Sequence, residues 1–114
     1  MPMATSYVLI TSMDVVSELE DLFNEVYDEH VALILKVPGV RHVTRMKGEP
    51  FLVAIGGTTQ TMPAPDPVYT AIYEIDDPNV LVSQDWTDAC EAGRWPTEIR
   101  PHTRKRFHAV YRTA

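Results

Sequence analysis

A strand-like run, a helix-like run and a second strand-like run follow one another in the first half of this chain, and the same order returns in the second half. Residues Ser6 to Ser12 (SYVLITS) are rich in β-branched and aromatic side chains and too short for a helical period, so they read as a strand. Asp14 then offers an acceptor to the first free amides of a helix running to about Lys36, with Glu18, Glu20 and Asp21 near its positive end. Pro38 disfavours helical geometry at Val37, and Gly39 can take the left-handed conformation that reverses the chain. The helix should therefore span about 22 residues, roughly 33 Å at 1.5 Å per residue.

Val40 to Lys47 (VRHVTRMK) reads as the second strand, closed by Gly48-Glu49-Pro50. From Glu49 to Asp66 the chain holds Gly56-Gly57 and a proline cluster, interrupted by the apolar run Phe51 to Ile55. It is expected to be a long loop with room for one short strand, acting either as a binding element or as a passive insertion. Val68 to Ile75 (VYTAIYEI) alternates as a third strand, and Asp76-Asp77-Pro78 signals a helix over about Pro78 to Ala92, broken near Ser83 and capped by Gly93. Arg94 to Arg104 is expected to wander across the surface, and Lys105 to Arg112 (KRFHAVYR) alternates as the fourth strand. The order β-α-β, loop, β-α-β is that of an α+β, ferredoxin-like βαββαβ protomer: a four-stranded antiparallel sheet with two helices on one face.

The strands carry apolar residues on both alternating sets, Tyr7 and Leu9 against Val8 and Ile10, and Tyr69, Ala71 and Tyr73 against Val68 and Ile72. One sheet face is left without a cover, and a homodimer through the sheet faces is the expected remedy. With 114 residues, 45% hydrophobic and 23% charged, the chain suits one domain, residues 1–114. Ten basic against sixteen acidic side chains give a net charge of −6, which disfavours nucleic acid and anionic membrane as partners. The single cysteine, Cys90, and a start without a signal-peptide pattern point to the cytoplasm, and no apolar run approaches the ~20 residues of a membrane span.

The residue that attracts chemistry is His30. At 100° per residue, Leu19, Phe23, Val26, Ile34 and Val37 lie within about 40° of it, so it sits in the middle of the apolar stripe. Two readings follow: a core histidine satisfied by a backbone carbonyl or a tyrosine hydroxyl, or an imidazole facing a pocket and suited to proton transfer. Tyr27, about 60° away and one turn earlier, can flank the same pocket, whereas Asn24 falls about 120° off. The histidines follow no metal-binding spacing and Cys90 has no Cys-x-x-Cys partner, so neither a metal site nor a nucleophilic cysteine is expected. His108 and His102 are within possible reach of the pocket, with surface or packing roles as the simpler reading. Trp86 fits an inner stripe of the second helix with Val82, Ala89 and Cys90, while Trp95, between Arg94 and Pro96, suits a pocket rim or a dimer contact. Arg45 is either paired with the acidic helix or a carboxylate-binding group. Phe23 and Tyr73 complete the candidate ligand-binding set. Phosphate-binding glycine motifs and Gly-x-Ser-x-Gly are absent.

The string Phe23-Asn24-Glu25-Val26-Tyr27-Asp28-Glu29-His30, then Val37-Pro38-Gly39-Val40 and Thr44-Arg45-Met46, resembles the pattern of EthD-like proteins in the dimeric α/β-barrel superfamily. Tyr73-Glu74-Ile75, Asp77-Pro78, Ser83 and Trp86 are similar to its second half. The resemblance implies a ferredoxin-like protomer whose sheet packs on another to form a barrel, with a ligand cavity between sheet and helices. It implies a small enzyme needing no cofactor, of lyase, isomerase, cyclase or monooxygenase type, acting on a hydrophobic carbonyl or phenolic molecule with His30 as acid/base and Tyr27 as orienter. A non-catalytic ligand-binding or stress-associated homodimer, and a haem protein with His30 as axial ligand, are the alternatives.

Overall fold

The structure is a computed structural model that describes residue 3 and residues 5–114. Strand β1 (Tyr7–Val15) is longer than the sequence suggests because Asp14 stays in it. The Asp14 carboxylate accepts the Val68 amide at 2.7 Å, tying β1 to the start of β5 (Tyr69–Ile75) instead of capping a helix. A 3-10 turn at Ser17–Leu19 intervenes, and α1 covers Glu20–Ile34, 15 residues where about 22 were expected. The Pro38-Gly39 reversal holds: Gly39 has φ +93°, and a Cβ there would stand 2.5 Å from Val80 Cγ2.

Strand β2 (Val40–Lys47) has the expected bounds. In the Glu49–Asp66 segment the short strand allowed for at Phe51 to Ile55 is present as β3 (Phe51–Ile55), but it is one half of a hairpin with β4 (Thr58–Met62), turned by Gly56 and Gly57 at φ +61° and +83°. Positive φ at both central residues is what a two-residue hairpin turn demands, so the Gly-Gly pair is a strand signal, obscured by a return strand of Thr and Gln with no apolar alternation. The second helix breaks at Ser83 as expected. Pro78–Val82 is a 3-10 turn, the Ser83 hydroxyl accepts the Trp86 amide at 3.1 Å, and α2 runs Gln84–Glu91. That break resets the helical phase, and Val82 points outward at 82% exposure instead of joining the inner stripe.

The segment after Gly93 does not wander. A π-helical turn (Trp95–Ile99) and a 3-10 turn (Arg100–His102) bury Trp95 and Ile99, because the indole packs among the rings of Phe23, Tyr27 and His30. Trp95 is therefore part of the core and not exposed at a rim. β6 (Thr103–Arg112) completes an antiparallel sheet of order β2-β5-β1-β6.

The register places Leu9, Thr11 and Met13 opposite Tyr73, Ala71 and Tyr69 on one face. α1 packs there through Phe23 on Tyr69, and α2 through Trp86 on Tyr73. Between them Phe23, Val26, Ile34, Ile75 and Ile99 form the fully buried centre. The other face presents Ile10, Ile72, Met46, Phe107 and Tyr111, of which Met46, Phe107 and Tyr111 are exposed. The α+β ferredoxin-like architecture expected from the element order is the one observed.

Candidate functional site

Because α1 lies on β1 and β5 while α2 and the Trp95 turn close around its C-terminal half, the layer between helices and sheet is not filled by side chains throughout. A cavity of about 450 Å³ remains, within the range of small-molecule sites. Its floor is Leu9, Thr11, Met13 and Tyr73 from the sheet, its helical wall Tyr27, His30, Trp86 and Cys90, and its far wall Trp95 and Arg100. Leu81 and the β6 residues Arg106, His108 and Val110 stand at the more open side.

His30 is 7% exposed, and its Nδ1 is buried with no hydrogen-bond partner. The carbonyl or tyrosine contact that would make it a satisfied core histidine at that atom is not formed. Its ring stacks on Trp95 with centroids 4.9 Å apart and planes 19° off parallel, and meets Tyr27 edge-on. Burial, helped by the Arg100 guanidinium and opposed by Glu91, pulls the imidazole down to about pKa 4. At neutral pH it is therefore uncharged and holds a free lone pair. Arg100 itself is fixed by the Glu91 carboxylate at 2.6 Å and by the Cys90 carbonyl at 3.0 Å. Burial pushes the Cys90 thiol up to about 11, so it is a protonated, unreactive wall atom at neutral pH.

Beside His30 lies a row of three hydroxyls. Tyr27 OH is 2.7 Å from Tyr73 OH and 3.3 Å from Thr11 Oγ1, all buried. Burial raises both phenols above their ordinary range, so they stay protonated. Thr11 acts on both phenols, so the three hydroxyls form one mutually bonded polar patch on the cavity wall.

Tyr27, His30, Tyr73, Trp86 and Trp95 thus meet at one cavity. Arg45 and Phe23 do not line it. Arg45 lies over the Tyr27 ring at 4.5 Å, bound to Asp28 at 2.8 Å and to Asn24 Oδ1 at 2.7 Å, and Phe23 is fully buried beside it. Asn24 joins through this contact, off the apolar stripe as its helical angle required. Thr11 and Arg100 are residues that sequence reasoning passes over. A lone hydroxyl on the inward alternation of β1, between Leu9 and Met13, is the available signal for Thr11; Arg100 carries none, since a π-helical turn passing into a 3-10 turn follows neither the 100° rule nor a strand alternation. A second hollow of about 320 Å³ runs along Val26, Glu29, Leu33 and Gly93, and His30 and Trp95 line it as well as the first. Among the described residues no three His, Cys, Asp or Glu side chains gather to hold a metal, and no helix is long and apolar enough to cross a membrane.

No protein-family model matches the sequence, and no curated protein matches it. Solved structures do resemble the fold. SnoaB from Streptomyces nogalater, a cofactor-independent oxygenase whose structure is that of a point mutant, superposes with a TM-score of 0.56 at 16% identity over 96% of this chain and 93% of its own. An ethyl tert-butyl ether degradation (EthD) family protein from Bacillus halodurans C-125 gives 0.57 at 12% identity over 95% and 99%. The fold is thus the EthD-like, ferredoxin-like fold that the motif strings suggest.

Proposed function

We propose that this chain is a small cofactor-independent enzyme that moves a proton on a hydrophobic carbonyl or phenolic molecule held in the 450 Å³ cavity, with His30 as the base. The observation that carries the reading is a neutral imidazole, without a partner at its buried Nδ1, on the wall of a hollow lined by aromatic rings, hydroxyls and a guanidinium. A guest oxygen accepts a hydrogen bond from the Thr11, Tyr27 and Tyr73 row, which exchanges one of its internal contacts for it. An acidic C–H next to that carbonyl, or a phenolic O–H, then breaks. Its electron pair stays on the guest as an enolate or phenolate, and the proton passes to the imidazole. The new anion offsets the burial that disfavours imidazolium, and Arg100 adds a fixed positive charge nearby. Trp86 and Trp95 hold the apolar part of the guest. The fold likeness to a cofactor-independent oxygenase is in keeping with such chemistry. The working unit is a homodimer whose open sheet faces pack together, since Met46, Phe107 and Tyr111 on that face are exposed.

Binding of hydroxyaromatic and 1,3-dicarbonyl compounds, read by quenching of the two cavity tryptophans, identifies a guest, and turnover of that guest is then followed in variants. His30→Ala should keep affinity within a few-fold and lose about 10²–10⁴ of kcat. Equal turnover by wild type and His30→Ala would refute the assignment. A His30→Gln protein that only loses thermal stability would favour a binding dimer without chemistry.

A further inference from the structure

The hairpin β3–β4 belongs to neither helices nor sheet. Its strands pair with each other, and no other element packs extensively on them. A two-stranded hairpin standing alone in water is marginal at best. Yet residues 51–62 carry no charge in a chain of net charge −6, and Phe51, Leu52 and Ile55 are 55%, 68% and 50% exposed. Such a surface calls for a partner.

Its root stands at one end of the open sheet face. The Gly48 amide donates to the Val68 carbonyl at 2.7 Å, and Lys105 holds Asp66 at 2.8 Å, so the hairpin leaves from the sheet end where β2 and β1 finish and β5 and β6 begin. One register row on the open face near that end runs Met46, Thr70, Ser12, Phe107 across all four strands, with its two apolar members at the outside. Met46, Phe107 and Tyr111 are each about half exposed and together offer roughly 300 Å² of apolar surface. With the part-buried Ile10 and Ile72 adding up to about 100 Å², and at about 60% apolar content, that supports an interface of roughly 500–670 Å² per partner, below the about 800 Å² of a stable one. The three hairpin residues supply roughly as much again and bring the total past that requirement.

We propose that the hairpin is an arm that lies on a second copy of this chain, adding its Phe51, Leu52 and Ile55 to the contact made by the open sheet faces. The proposal rests on the dimer reading above and adds the element without which that dimer is weak.

Sedimentation equilibrium of the intact protein should give a dimer. The variant Phe51→Ser/Leu52→Ser/Ile55→Ser should raise the dimer dissociation constant by at least about 100-fold while circular dichroism stays that of the folded chain. Should the triple variant misfold, Leu52→Ser alone, at the most exposed of the three positions, should weaken association by about 10-fold. Hydrogen exchange of the 51–62 amides should be slow in the dimer and fast after dilution. Unchanged association in the arm variants overturns the proposal. If Phe107→Ser/Tyr111→Ser dissociates the dimer and the arm variants do not, the face-to-face dimer stands and the arm falls. A wild type that is monomeric at every concentration removes both. Arm-dependent co-sedimentation with phosphatidylcholine vesicles, with the dimer unaffected, would assign the arm to a lipid surface and overturn the proposal as well.

Discussion

His30 concentrates the physical argument at the residue scale. Its folded pKa near 4 lies below the ordinary 6.5, so between those values the unfolded chain binds a proton that the folded chain refuses. Above pH 6.5 neither form is protonated and the residue makes no difference. Below it, stability falls with falling pH at about 1.4 kcal/mol per unit, roughly 3 kcal/mol by pH 4.5. His108, also shifted down by burial, adds in the same direction, and the surface carboxylates Glu20, Glu29, Asp66, Asp76 and Glu91, held low by their partners, act in a lower pH range. Urea unfolding from pH 7 to 4.5 should therefore show a slope that flattens in His30→Gln, and parallel slopes would remove the low folded pKa. The inward direction of His30 is legible in the sequence, since a helix repeats at 100° and its neighbours on that stripe are apolar. The missing partner at Nδ1 is not legible, because it depends on what three other elements bring to the same place.

Among the elements, the long strand β2 and the Ser83 break are readable because each is set by local chemistry: alternation ended by glycine, and a hydroxyl that caps the next turn. Asp14 misleads for the opposite reason. The same carboxylate can cap a helix or bind a neighbouring strand's amide, and only the distant Val68 decides between them. Asp14→Ala should cost about 1.5–3 kcal/mol, the worth of a charged hydrogen bond, and speed exchange at the Val68 amide while α1 keeps its protection. Fraying at Glu20 instead would restore the capping role. The turn at Trp95–Ile99 shows tertiary burial overriding local signals, since two prolines nearby suggest open chain and three aromatic neighbours draw it inside.

For the whole molecule, the strand order β2-β5-β1-β6 follows from the element order, because few other antiparallel arrangements keep both connections short and on one side. The hairpin escapes such reasoning because a segment that pairs only with itself leaves no periodic mark on the rest of the chain. Association through apolar surface has an electrostatic signature of its own: it is insensitive to screening. For the proposed dimer, the dissociation constant should change little between roughly 0.1 M and 1 M NaCl, over which the screening length falls from about 10 Å to about 3 Å. A strong weakening with salt would instead point to the surface ion pairs as the contact.

That His30 and Trp95 line both hollows has an outcome for the size of guest the proposed site would admit. The two stacked rings line both hollows, so at this point the space for a proposed guest is bounded by side chains and not by the backbone. Trimming the indole would enlarge both rooms at once, and a descendant of this sequence could admit a longer guest through that one position with every strand left where it is.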